Sequence, residues 1–354
     1  MEGIKTTCFT YILIMAISSI TTGPRQSNFE LLRLVAMFLV LVVHADFSSL
    51  GEPSLRDFQS DIVGSTLRVF IESLSIVCVN VFILISGWFG IRQSLKSFCN
   101  FLFQCFFFLG GTYTCLVVLN RTPLNLSGLL TCFGLNNWFI MSYLGLFILA
   151  PIINPFLDTC GKKKLGLTIL SFYVFQTLCG WPGFAKYFEL GYSTLSFVGL
   201  YLIGRYLRIC NGLRNFISPL LFHWICFGIC SISLTGIYII QVYSGIKLGV
   251  FSFINPLVVI SSVFLFLGFA HLKLKHNRYI NFMAKSAFAV FLLHTQSYIF
   301  DRIYKVTLRE LFSEYSGLSF LLFATFFLLC IFTCAILLDQ PRKWLWKAIL
   351  SLKE

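Results

Sequence analysis

Long apolar runs separated by short polar loops make up nearly the whole chain. Runs at about 29–47, 68–90, 98–119, 136–157, 165–180, 194–207, 216–241, 250–270, 280–300 and 317–338 predict ten helices. Most approach the ~20 residues that cross a hydrocarbon layer. A shorter run, Cys8 to Ile20, precedes them, with Lys5 before it and Thr21-Thr22-Gly23-Pro24 after it. It is short for a span and is read as an anchor, an extra span or an unused upstream start, outside the core. The pattern predicts an all-α, polytopic integral membrane protein with about ten transmembrane helices. It divides into an N-terminal extension at 1–27, a transmembrane domain at 28–348 and a tail at 349–354.

The loop charges give these helices a direction. Taken alternately from the second helix onward, one set of loops holds Arg92 and Lys96; Lys162, Lys163 and Lys164; Arg205, Arg208 and Arg214; and Lys273, Lys275 and Arg278. The other set holds Arg56, Arg121, Lys186, Lys247, and a group of Arg302, Lys305 and Arg309. Loops rich in Lys and Arg stay on the cytoplasmic side. The expected location is therefore the cell membrane, with both ends of the ten-helix core cytoplasmic.

Composition supports this class. The 354 residues are 57% hydrophobic and only 12% charged, against about 25% charged in soluble domains. Mean hydropathy is +0.84. A net charge of +13 on a soluble domain suggests nucleic acid; in short loops between apolar runs it sets topology instead, and no nucleic-acid partner is expected. Most of the 13 cysteines lie inside apolar runs and read as small packing residues rather than disulfides or metal ligands. No metal site is expected.

The opening run, NFELLRLVAMFLVLVVHADF, carries Arg33 and His44. Eleven positions at 100° each amount to three turns plus ~20°, so both project from nearly one face, ~16 Å apart along the axis. Ionisable groups inside such segments cost a few kcal/mol and tend to face a bundle interior or wet cavity. With the first helix running outward, Arg33 lies at the cytoplasmic end and His44 in the outer half. The second helix runs inward and brings Ser86 and Gly87 near the level of Arg33. The ninth runs outward and places His294 at the depth of His44.

With these features in order, the sequence resembles the membrane-bound acyltransferase 3 family over about 28–348. The markers are Arg33 and His44 at Arg-x10-His spacing, Ser86-Gly87 closing VNVFILISGWFG, the segment NNWFIMSYLGLFILAPIINPF, His294 ending SAFAVFLLH, and the tail LLDQPRKWLWKAI. The resemblance implies an integral membrane O-acyltransferase that acts on surface polysaccharides or other exported acceptors.

It also implies roles for those residues. Acyl transfer from a thioester to a hydroxyl needs a base, positive charge or donors for the oxyanion and donor phosphates, and a dry route between them. His44 serves as the base or, in a covalent relay, carries the acyl group. His294 is a second base, an acceptor-side partner or an orienter of His44. Arg33 suits the phosphates of acyl-CoA, and the small Ser86-Gly87 step lets backbones approach closely and leaves room for the donor's arm. Depth adds Glu72 and Asp46 as groups that orient an imidazole or bind sugar hydroxyls, and Trp138 as a stacking platform. Acetyl-CoA is expected as the donor substrate, with no bound cofactor. The expected acceptor is a cell-envelope or exported glycan, or a lipid-linked saccharide; membrane lipids surround the protein. The alternatives are a polytopic glycan or lipid transporter or flippase, and an acyltransferase using succinyl, another acyl group or a non-glycan acceptor. A transporter more often shows internal repeats and paired broken helices.

Overall fold

In a computed structural model, residues 25–210 and 220–351 are described. The run Cys8 to Ile20 and Arg214 lie outside them. The described residues are helical with no strands. The principal helices are α1 (Ser27–Ala45), α2 (Ile62–Ser75), α3 (Cys78–Phe89), α4 (Leu95–Cys105), α5 (Gly111–Val118), α6 (Trp138–Thr159), α7 (Lys162–Phe175), α8 (Thr194–Ile209), α9 (Leu220–Ser244), α10 (Pro256–His271), α11 (Arg278–Ala284), α12 (Ala287–His294), α13 (Lys305–Glu314) and α14 (Gly317–Ser351).

Polar residues set the ends of these apolar helices. Asn137 caps α6 by accepting from the amides of Phe139 and Ile140, and Asn277 caps α11 through those of Tyr279 and Ile280. Asn255 caps α10, with Pro256 in the first turn. Such caps satisfy amides that the helix itself cannot.

Among the described residues, six stretches are long and apolar enough to cross a membrane: Ser27–Leu50, Ile62–Phe89, Leu95–Val118, Trp138–Thr159, Leu220–Ser244 and Gly317–Ser351. The expected count of ten is not confirmed. The other four segments exist as shorter or interrupted helices. α8 and α10 have 16 residues each, about 24 Å of rise against a hydrocarbon core of about 30 Å. α7 opens on three lysines and passes into a π-helical turn, Gln176–Gly180. The ninth expected helix breaks at Lys285–Ser286 into α11 and α12.

α1 is the central element. It packs against α2, α3, α10, α11, α12 and α14, and Leu32, Ala36 and Leu41 are fully buried along it. α3 and α8 cross at two facing glycines. A Cβ on Gly87 would lie 2.3 Å from the Tyr201 carbonyl oxygen, and one on Gly204 would lie 2.4 Å from the Leu84 carbonyl oxygen. Both obstacles are backbone, so the helices must separate to admit a side chain. Gly87→Val is expected to destabilise the protein by about 3 kcal/mol or more, read as a lowered Tm of the purified protein and a lower yield in membranes.

A second polar device joins α14 to the rest. Asp339 is fully buried and Arg342 is 4% exposed. Arg342 Nε and Nη2 reach the two Asp339 oxygens at 2.8 and 3.2 Å, and Lys343 Nζ lies 3.1 Å from Oδ2. Lys343 also donates to Ser286 at the break between α11 and α12, at 2.5 Å. Arg342 Nη1 donates to Asn100 of α4 at 3.1 Å. These bonds tie three elements together beneath the cavity described next.

Candidate active site

A cavity of about 810 Å³ runs along the Arg33–His44 face of α1. Arg33, His44, Glu72, Ser86 and Trp138 all line it. The helical arithmetic that put Arg33 and His44 on one face therefore describes a real wall. At the Arg33 end the cavity adjoins a second one of about 710 Å³, and Arg33, Ile85, Ser86, Phe101 and Tyr143 line both.

The two histidines meet at the other end. His44 Nδ1 lies 2.8 Å from His294 Nε2, and His294 Nδ1 lies 2.6 Å from the Val290 carbonyl oxygen. A carbonyl only accepts, so His294 Nδ1 carries a hydrogen. Neutral His294 then has a bare Nε2, which accepts the hydrogen on His44 Nδ1. The lone pair of His44 is left on Nε2, in a ring that lines the cavity. Among the described residues, Nε2 has no hydrogen-bond partner. Val290 sits one turn before His294 on α12, so the chain of bonds is anchored in helix backbone.

Tyr304 supports this pair. The π-helical turn Phe300–Tyr304 follows α12 after a short connection. It brings the fully buried Tyr304 ring to 5.7 Å from His294, with its hydroxyl donating to the Leu41 carbonyl of α1 at 2.5 Å. Phe300 stands edge-on to His44 at 5.8 Å. Extra-residue turns of this kind often re-aim side chains at functional sites.

The structure places Asp46 and Gly87 outside the cavity lining and Ser86 on it. Among the described residues, the partner of His44 Nδ1 is His294 and not a carboxylate. Asp46 does not line the cavity: Arg68 holds its Oδ1 at 2.6 Å from Nη2 and 2.7 Å from Nε. Gly87 lines neither cavity and forms the expected close approach of backbones at the helix crossing, and its neighbour Ser86 lines both cavities.

Glu72 reaches the cavity. It is 2% exposed, and its Oε2 has no hydrogen-bond partner. The second carboxylate there is Glu52, which accepts from the Tyr238 hydroxyl at 3.3 Å. Sequence reasoning missed Glu52 because it lies in a loop, where helical phase and depth give no position. Trp138 packs 4.4 Å from Tyr192 and stacks on Phe253 at 5.9 Å, all three on the cavity wall.

The second cavity is cationic. Arg25, Arg33, Arg92 and Arg208 line it with one acid, Glu30. Glu30 Oε2 accepts from Arg33 Nη1 at 2.6 Å and Arg25 Nη1 at 3.1 Å. Arg208 donates to the Trp88 carbonyl at 3.0 Å. Its neighbour Arg205 pairs with Asp158 instead. Glu30 and Arg33 are three residues apart on α1, the spacing of a helical ion pair, whereas the other arginines come from separate segments.

A family model described as an acyltransferase domain matches residues 26–340. The chain belongs to the acyltransferase 3 family. It is a membrane acyltransferase. No curated protein and no solved structure matches it.

Proposed function

We propose that this acyltransferase moves an acetyl group from acetyl-CoA, bound at the cytoplasmic face of the cell membrane, to a hydroxyl of a cell-envelope or exported glycan. The observation that carries the reading is the lone pair of His44 Nε2, facing a cavity with an arginine vestibule at one end. In this reading the donor phosphates rest among Arg25, Arg33, Arg92 and Arg208, since guanidinium pairs with phosphate through two parallel hydrogen bonds. Glu30 anchors Arg33 and Arg25 on one carboxylate oxygen. The donor's arm follows the α1 face past Ser86, and its thioester reaches His44.

The acceptor enters from the opposite end. Trp138 and Tyr192 supply flat apolar faces of the kind that sugar rings cover, and Glu72 and Glu52 supply hydroxyl acceptors. His44 Nε2 takes the proton from one acceptor hydroxyl as that oxygen attacks the thioester carbonyl. The charge created on His44 is spread through Nδ1–H to His294 and on to the Val290 carbonyl. As the C–O bond forms, the C–S bond breaks, and the departing thiolate takes the proton from Nε2.

The test uses the purified full chain in lipid nanodiscs with acetyl-CoA and an envelope glycan fraction. The expected result is thiol release that depends on the glycan, with a mass increase of one acetyl group on the glycan product. Movement of a lipid-linked glycan across vesicles without thiol release would overturn the reading in favour of transport. An increment matching another acyl group would change the donor and leave the site assignments standing.

A further inference from the structure

Asn100, Phe101 and Gln104 of α4 line the cavity, and Phe101 also lines the vestibule. Gln104 is 7% exposed, and its Nε2 is buried without a hydrogen-bond partner. Buried amide groups almost always have a partner, so an orphan on a cavity wall points to a ligand that supplies one.

Asn100 is aimed from behind. Arg342 Nη1 lies 3.1 Å from its Oδ1. A guanidinium only donates, so the atom facing Arg342 is the carbonyl oxygen, and the NH₂ group is the donor left over. Arg342 is itself fixed by both oxygens of Asp339. Asn100 and Gln104 are four residues apart on one helix, which sets their Cβ atoms about 5–6 Å apart on one face.

The arm of an acyl-CoA carries two secondary amides separated by two methylenes. Standard bond lengths put their carbonyl carbons about 5 Å apart when extended. The two spacings agree. The aromatic wall beside them suits the methylenes: Phe101 stacks on Phe288 at 5.4 Å, and both line the cavity.

We propose that Asn100 and Gln104 grip the two amides of the pantetheine arm and thereby set how far the thioester extends toward His44. The proposal rests on the acyl-CoA reading above. Neither residue touches the reacting carbonyl; both are positioning residues. They select a donor by its arm rather than by its acyl group or nucleotide.

The experiment measures kcat/KM in nanodiscs with acetyl-CoA and with two analogues, each having one arm amide replaced by an ethylene linker. Wild type is expected to lose about tenfold on each analogue, the scale of one hydrogen bond. Gln104→Met is expected to lose about tenfold on acetyl-CoA and nothing further on one of the two analogues. Asn100→Leu should show the same pattern on the other analogue. A Gln104→Met enzyme that is unaffected, or slowed equally on all three donors, overturns the proposal. If that variant does not fold, the wild-type series decides alone, and equal use of all three donors overturns it. Wild type that consumes no thioester overturns the acyl-CoA reading as well; wild type that consumes acetyl-CoA without discriminating overturns only the grip.

Discussion

His44→Ala is expected to lower acyl transfer by about 10³-fold while leaving the protein folded and in the membrane. The size follows from the role: a positioned general base contributes about 10²–10⁴-fold. The fold is spared because the ring lines a cavity and its removal leaves few side chains unsupported. His294 Nε2 loses its donor but gains access to the enlarged cavity. The checks are turnover of acetyl-CoA with acceptor present, and the thermal unfolding midpoint of the same preparation. An unchanged midpoint with full activity would remove His44 from the chemistry. His294→Ala should fall less far in rate but further in stability, because that ring is fully buried and its hydrogen bonds join α1 to α12. The contrast separates the residue that touches the substrate from the one that orients it.

Asp339→Ala is the change with the largest expected effect on stability. Asp339 is fully buried and faces two cations, Arg342 at 2.8 Å and Lys343 at 3.1 Å. Removing it leaves a nearly buried guanidinium without its counter-charge. Breaking such a pair typically costs about 3–5 kcal/mol, because the remaining charge stays desolvated. The prediction is a large fall in Tm and in membrane yield. Asp339→Leu combined with Arg342→Met should recover most of the loss, since replacing the whole pair by apolar groups removes the uncompensated charge. The rescued protein should still turn over slowly, because Asn100 no longer has Arg342 to aim its amide. Stability restored without donor discrimination is the outcome that links this network to the cavity.

These two predictions rest on parts of the molecule that were unequally visible in the sequence. Arg33 and His44 share one helix, and a straight helix converts sequence spacing into angle and height directly. Their common face was therefore legible. The match in depth between His44 and His294 was also legible, because loop charges gave α1 and the later helix their directions. That the rings touch at 2.8 Å was not. Depth fixes one coordinate, and lateral neighbours depend on how helices pack around α1.

Asp46 and Glu52 show the same limit. Both are acids near the His44 end, and depth alone favoured Asp46. Arg68, one span away in sequence, takes Asp46 out of the cavity, while the loop carrying Glu52 folds into it. Helical phase says nothing about a loop. Gln104 and Asn100 did carry a signal, two amides at i,i+4 within an apolar run, but the same pattern also serves helix packing. Only the cavity and the orphaned Nε2 distinguish the two uses.

By itself, the sequence determined what is local or one-dimensional: an apolar helical chain for a membrane, a family, and a polar face on α1 carrying Arg33 and His44. Tertiary structure decided what converges. The close crossing at Gly87 and Gly204, the break at Lys285–Ser286 and the buried Asp339 network set where neighbouring helices lie. They turn that face into a walled cavity with arginines at one end and a hydrogen-bonded histidine pair at the other. The reason is physical: backbone hydrogen bonding fixes a helix from its own residues, whereas the distance between side chains on different helices is set by side chains that meet only after packing.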